Sequence, residues 1–409
     1  MEDTMPFSRE NRVLELLLLA FLLPFASSSS EECTATAAAG GGETCLQVSE
    51  PVVLGNVQSA PTASNYTFEE RASAKDYLDI LYKERQILTK NARVYEYESV
   101  SNPVLNPVPI LSLGADDYAA NETGVVTADF SSLLGISYPA TSPNLLAGFV
   151  KVLEGEELDT KAEATSQAFY VVSGSGRSQL QPDGEEEEEG KLIEWATGDM
   201  FVVPAHSEPI THTASSTAVL YWVHDEPLLR YLGVKSSEKK FEPTLYTKEM
   251  LMDCVEEIKR EPGSGEKNRM GILLGNKDTE QTKTITHTLW ALLNTIPPKT
   301  VQLPHKHNSV ALDLCVSAGE GTYTLMSRQI DHNGRLVDPV RMDWAPGGMF
   351  VTPPGWWHSH VNEGEQPGWV LPLQDAGIYT YQRSLDIRFA PDSIRHYKEK
   401  IIAGVMDQF

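Results

Sequence analysis

Histidine supplies the chemistry most easily read in this chain. Pro304-His305-Lys306-His307 carries one pair, and about fifty residues on Pro353-Pro354-Gly355-Trp356-Trp357-His358-Ser359-His360 carries another. Alternate side chains of a β-strand share a face, so His305 and His307 point the same way. His358 can meet them if its strand belongs to a sheet that closes into a small barrel. Three neutral imidazoles converging on one point would hold a single Fe, Mn, Zn, Ni or Cu ion. A His-x-His pair alone is more often an ordinary strand feature, so the surroundings decide. No Ser/His/Asp triad, phosphate-cradling glycine loop or pair of carboxylates stands out beside it.

The surroundings are strand-like and repeated. Gly319-Glu320-Gly321 follows the first pair, Thr322-Tyr323-Thr324-Leu325 reads as a strand, and Gly347-Gly348-Met349-Phe350-Val351-Thr352 leads into the third histidine. Tyr170-Val171-Val172-Ser173-Gly174-Ser175-Gly176 echoes Leu314 to Gly321, and Gly198-Asp199-Met200-Phe201-Val202-Val203-Pro204 echoes Gly347 to Pro353. The offset is 145 residues between Gly174 and Gly319 and 149 between Gly198 and Gly347. A repeat of this period marks a duplicated domain. Short strands separated by Gly/Pro turns predict all-β barrels. Between the blocks, residues 247–260 predict one helix, and the run Glu185 to Glu189 a solvated loop.

These motifs resemble the two signature segments of the cupin superfamily. The resemblance implies an all-β chain of two tandem cupin barrels (double-stranded β-helix, jelly-roll), with a partly helical N-terminal extension and an inter-barrel helix. The expected divisions are 1–28, a possible signal peptide; 29–66, a disordered linker; 67–145, an N-terminal helix and arm. Barrel 1 follows at 146–235, an inter-barrel segment at 236–285, barrel 2 with the metal site at 286–390, and a tail at 391–409. His305, His307 and His358 match the metal-ligand positions, with ring nitrogens expected within 3–4 Å of one another. A cupin often adds a Glu four residues after the second His, but that residue is Ala311 here, which leaves the ion more open positions. Aligning the repeat on its Gly-x-Gly puts Lys161 and Glu163 near the His-x-His positions of barrel 1. The third position falls near Pro209, between His206 and His212. Barrel 1 is therefore expected to be degenerate and metal-free.

The resemblance narrows to the gentisate 1,2-dioxygenase-like bicupins on His305 to Leu312, on Thr352-Pro353 with Trp356, Trp357, His358, His360 and Asn362, and on Asp225 to Gly233. It implies an Fe(II) ring-cleaving oxygenase binding a small, possibly aromatic substrate and O₂ side by side, with Mn, Zn or Ni as other metals. His360 would be the catalytic-shell histidine beside the ligands. Two departures stand out: such enzymes normally hold iron in the first barrel, and the position of Asp313 is commonly Arg. Strand parity turns Ala311, Asp313 and Cys315 inward. An inward Asp313 would repel a carboxylate unless paired with an Arg such as Arg328, Arg341 or Arg383, so an uncharged or cationic substrate competes with gentisate. Gln302, Trp356, Gln374 and Arg383 are further candidates for the substrate pocket. Two other readings stay open: a non-catalytic, ligand-binding or storage-type bicupin, and a metal-dependent isomerase or lyase.

Composition sets the remaining bounds. With 409 residues the chain exceeds one small barrel. Its 41% hydrophobic and 22% charged residues are ordinary for a globular protein. A net charge of −24 disfavours nucleic acid and anionic membranes as partners. A homo-oligomer through barrel contacts is expected. Four cysteines, Cys33, Cys45, Cys254 and Cys315, do not make a disulfide scaffold. The apolar run 16–26 is short for a membrane span and is followed by small residues, which predicts a secreted protein, with a cytoplasmic one as the alternative.

Overall fold

The computed structural model describes residues 91–182, 190–264 and 269–390. The expected leader, the linker, residues 67–90 of the expected N-terminal helix and arm, Cys33, Cys45, the run Glu185 to Glu189 and the tail lie outside them. The described residues from Glu96 to Ala390 form one unit. The arm gives β1 (Ser112–Leu113) and β2 (Gly124–Thr127). Barrel 1 continues with β3 (Leu146–Val152), β4 (Glu157–Thr160), β5 (Ser166–Leu180), β6 (Lys191–Ala196), β7 (Met200–Pro204), β8 (Ile210–His224) and β9 (Thr244–Tyr246). Its sheet runs β2-β3-β8-β5-β7-β9, with β4 on β8 and β6 on β5. The helix Lys248–Arg260 follows, its first turn capped by the Thr247 side chain.

Barrel 2 contains β10 (Met270–Leu274), β11 (Trp290–Ile296), β12 (Thr300–Val301), β13 (His305–His307), β14 (Ala311–Ser317) and β15 (Thr322–Ser327). A small ladder, β16 (Gln329–Ile330) with β17 (Leu336–Val337), precedes β18 (Val340–Asp343), β19 (Met349–Thr352), β20 (Trp357–Asn362), β21 (Gly368–Gln374) and β22 (Ile387–Phe389). One sheet runs β1-β19-β14-β21-β11-β10 and the other β18-β15-β20-β13-β22, with β12 on β20. The stretches read as arm and inter-barrel segment thus do more than connect. β1 pairs with β19 of barrel 2, β9 with β7 of barrel 1, and β10 with β11 of barrel 2. Each covers a strand edge that would otherwise expose unpaired backbone groups.

The barrels pack sheet to sheet through a shared apolar layer. Phe149, Tyr221 and Val223 of barrel 1 join Leu312, Leu314, Met349 and Val351 of barrel 2 in one buried cluster. On β14 this leaves the opposite face to Ala311, Asp313 and Cys315. Cys315 duly packs with Ile296, Met326, Phe350 and Val370 inside barrel 2. Strands apolar on both faces explain why these stretches read as near-continuous hydrophobic runs. The interface is pinned by the Tyr118 hydroxyl, which donates to Gly347 O at 2.8 Å, and by Asn144 Nδ2, which donates to Asp375 at 2.7 Å.

Within β5 the pairing to β8 shifts register around Gly174, whose φ is +85°. A Cβ there would lie 2.4 Å from Thr217 O and 2.6 Å from Ala218 Cα, both backbone atoms. Gly155 has φ +79° but open space around it. Gly174→Ala should therefore cost ~3 kcal/mol or more and Gly155→Ala ~1 kcal/mol in urea unfolding. Equal losses would show that the bulge tolerates a side chain.

Candidate metal centre

The centre is built where β13 meets β20. The ladder sets His305 directly opposite His358, and β22 flanks β13 on its other side, with Phe389 opposite His305. His307 follows two residues along, on the same face. Ring centroids are 4.0 Å apart for His305 and His358, 5.0 Å for His307 and His358, and 5.7 Å for His305 and His307. One ring nitrogen from each lies within 4.8 Å of the others, and this is the one such group of three among the described residues. That bound is wider than the expected 3–4 Å. An ion at about 2.0–2.2 Å from each nitrogen would draw the rings closer. The turn before β20 is tied in by Gly355 N, which donates to His307 O at 2.7 Å; Gly355 has φ +76°.

Hydrogen bonds orient two of the rings for ligation. A carbonyl only accepts, so His307 Nδ1 donates to Ser309 O at 2.9 Å and His358 Nδ1 donates to Trp356 O at 3.1 Å. Each is left with a lone pair on Nε2, the arrangement that metal-binding imidazoles use. Ser309 Oγ lies 3.1 Å from His307 Nδ1 and donates to Gln374 Oε1 at 2.8 Å. His305 differs. Arg269 Nη2 sits 2.5 Å from its Nδ1 and also donates to Leu303 O at 2.7 Å.

Electrostatics keep the rings neutral, as ligation requires. Burial pushes His307 down to about 4 and His360 to about 3. Burial also holds His358 well below the usual range, with His307 and His360 adding to it. His305 keeps some accessible surface, yet the protein packed around it, then His358 and Arg269, hold it well below as well. Burial lowers Arg269 to about 10, which leaves it charged at neutral pH. The ordinary carboxylate position is Ala311, flanked by Thr352 and Gln374. The donor set is thus three neutral imidazoles, which fits a divalent transition-metal ion with open positions.

Barrel 1 shows what stands in the matching places. Ser178 Oγ bonds His212 Nδ1 at 2.8 Å and accepts from Trp195 Nε1 at 2.8 Å. Thr324 Oγ1 bonds His360 Nδ1 at 2.8 Å and accepts from Trp344 Nε1 at 2.8 Å. The two relays superpose the repeat: His212 matches His360, so Ile210 matches His358. Thr160 pairs with Ile210 as His305 pairs with His358. The matching triplet is therefore Thr160, Ala162 and Ile210, one residue off the expected Lys161 and Glu163, and Ile210 replaces Pro209. Ala162 and Ile210 belong to the barrel 1 core. Because His212 makes the same bonds beside a triplet without metal-ligand side chains, the bonds that hold His360 are a property of the repeated fold.

The other candidates divide. Gln374 reaches the site through Ser309. Gln302 is buried, but its amide is spent on Asn294, at 3.0 and 3.1 Å. Trp356 supplies its carbonyl to His358 while its ring lies 5.1 Å under Arg328. Arg383 is exposed, donates to Tyr381 O and lies over the Tyr381 ring. Asp313 is 2% exposed and points inward, but it meets none of the three arginines expected. Arg341 pairs with Asp343. The Asp313 carboxylate instead accepts from Thr352 Oγ1 at 2.5 Å, and burial pushes it up to about 7. Arg269 and Phe389 were missed in the sequence. Arg269 lies 36 residues before His305, outside any motif spacing.

No family model matches the chain. Gentisate 1,2 dioxygenase 1 of Aquipseudomonas alcaligenes is 32% identical over 102 residues, 25% of this chain and 26% of that protein. The match thus spans about a quarter of the curated relative. Salicylate 1,2-dioxygenase from Pseudaminobacter salicylatoxidans superposes with a TM-score of 0.56 at 14% identity, over 76% of this chain and 97% of that one. The same enzyme as an adduct with gentisate gives 0.55 at 14%, over 80% and 95%. The chain has the fold of two tandem cupin-like barrels, and it resembles the gentisate and salicylate 1,2-dioxygenases.

Asp313 offers a test of the inner face. Unfolded, it loses its proton near 3.8; folded, near 7. Between these values the native state holds an extra proton, so stability falls as pH rises. Asp313→Asn removes that dependence. In chelator-treated protein the variant should gain on wild type between pH 4 and pH 8 by on the order of 2–4 kcal/mol. A difference that stays level with pH would place the carboxyl in contact with solvent.

Proposed function

We propose that this bicupin is an Fe(II)-dependent dioxygenase that opens the ring of a small hydroxylated aromatic acid. The observation that carries the reading is the convergence of His305, His307 and His358 on the inner face of barrel 2, with Ala311 where a carboxylate ligand would stand. His305, His307 and His358 would hold the ion. Bound there, it would supply redox chemistry and open positions for substrate oxygens and O₂. Ser309 and Trp356 hold His307 and His358 in one tautomer through their carbonyls. Gln374 steadies the His307 side through the Ser309 hydroxyl.

The charge near the site now favours an acid. Asp313 keeps its proton up to about pH 7, so near and below neutrality it does not repel a carboxylate as an ionised Asp would. Arg269 brings a half-buried positive charge beside His305. The gentisate-bound relative adds support by likeness of fold.

The test is anaerobic loading with Fe(II), then O₂ uptake with gentisate, salicylate and uncharged catechols. O₂ consumption matching loss of the aromatic is expected with an acid and should vanish in His358→Ala. For the acid, kcat/KM should fall above about pH 7 as Asp313 ionises, and Asp313→Asn should flatten that fall. Turnover without O₂ would instead make the protein a lyase or isomerase. Iron binding with no uptake on any phenol would end the oxygenase reading.

A further inference from the structure

The three histidines are unequal, and the inequality has a cause outside the ligand set. His307 and His358 give their Nδ1 protons to carbonyls. A guanidinium has five N–H donors and no acceptor, so His305 Nδ1 must accept from Arg269 Nη2, 2.5 Å away. A neutral imidazole then carries its proton on Nε2. If His305 offers Nε2 to an ion, that nitrogen is protonated. If it offers Nδ1, the guanidinium already sits on it. Either way, His305 cannot join the other two on one ion while Arg269 stays bound. A guanidinium beside a divalent ion would also be repelled by it.

Several contacts hold Arg269 in place. Nη2 donates to Leu303 O at 2.7 Å, the guanidinium carbon lies 5.0 Å from the centre of the Phe389 ring, and that ring lies 5.9 Å from His305 at an interplanar angle of 14°. Arg269 adjoins β10 and Phe389 ends β22, so two strands outside the His motifs bear on the third ligand.

We infer that Arg269 competes with a divalent cation for His305 and so sets how tightly barrel 2 holds its metal. It is a positioning residue. The inference rests on the metal site of the proposed function but not on the reaction. The test titrates chelator-stripped full-length protein with Co(II) under argon, comparing wild type with Arg269→Met, which keeps an apolar side chain of similar reach and removes the guanidinium. Arg269→Met should bind Co(II) about tenfold or more tightly, since a charge-assisted bond no longer has to be broken. Its visible Co(II) spectrum should match that of saturated wild type, showing the same ligand set. Equal or weaker affinity would overturn the inference and make Arg269 a support of the site. Should the variant not fold, a crystal structure of wild type with Co(II) decides. Arg269 Nη2 should have left His305 Nδ1, and a cobalt ion on His305 with that contact intact overturns the competition. Failure of both proteins to bind Co(II) overturns this inference and the metal reading together, whereas failure of O₂ uptake alone touches only the reaction.

Discussion

The antiparallel pairing of β13 with β20 is the constraint on which the site depends. Cross-strand register sets His305 opposite His358, and the two-residue period of a strand brings His307 to the same face. A slip of one residue between the two strands would put His358 on the opposite face from His305 and His307. The register is held from both ends. Gln302 N donates to His360 O at 2.9 Å on one side, and Gly355 N to His307 O at 2.7 Å on the other. Ser359, between the two histidines of β20, points the opposite way and donates to Gln302 O at 2.6 Å. The centre is thus a consequence of sheet geometry, with little left to loop conformation.

How much was legible follows from how local each signal is. The His motifs and the helix capped by Thr247 lie within short windows, so spacing alone finds them. The repeat is visible because Gly and Pro recur at fixed offsets. The match of barrel 1 residues to the His positions is not local. It rests on strand pairing across β4 and β8: the Gly174-to-Gly319 offset of 145 lands on Thr160 and Ala162, but the Gly198-to-Gly347 offset of 149 lands on Pro209, one residue short of Ile210. Strand parity turns Asp313 inward, but its partner Thr352 is a diagonal neighbour across the ladder, two residues beyond its direct partner Phe350. Arg269 had no sequence signal, because its meeting with His305 is made by sheet closure.

The duplicated relay separates what the fold needs from what the site adds. Trp195, Ser178 and His212 repeat as Trp344, Thr324 and His360, with the same hydrogen-bond lengths. In barrel 1, Thr160 also reaches His212 Nε2 at 2.8 Å, so both ring nitrogens are engaged within the barrel wall. A buried polar group left unmatched would be costly, and the relay avoids this in each barrel. The difference between the barrels then reduces to the triplet beside the relay: Thr160, Ala162 and Ile210 in one, His305, His307 and His358 in the other.

Barrel 2 can hold a polar interior because its polar groups satisfy one another and because apolar burial is supplied elsewhere. Gln302 pairs with Asn294, Ser309 with Gln374, Thr352 with Asp313 and Thr324 with His360. These pairs consume the hydrogen-bonding capacity that would otherwise make the interior unstable. The layer shared between the barrels and the apolar core of barrel 1 supply the opposing term. What the pairs leave over is a small set of lone pairs on imidazole nitrogens, two of them oriented by carbonyls and one bound by a guanidinium. A metal ion is the partner whose chemistry matches that remainder, and a stable neighbouring barrel is what lets the chain keep it.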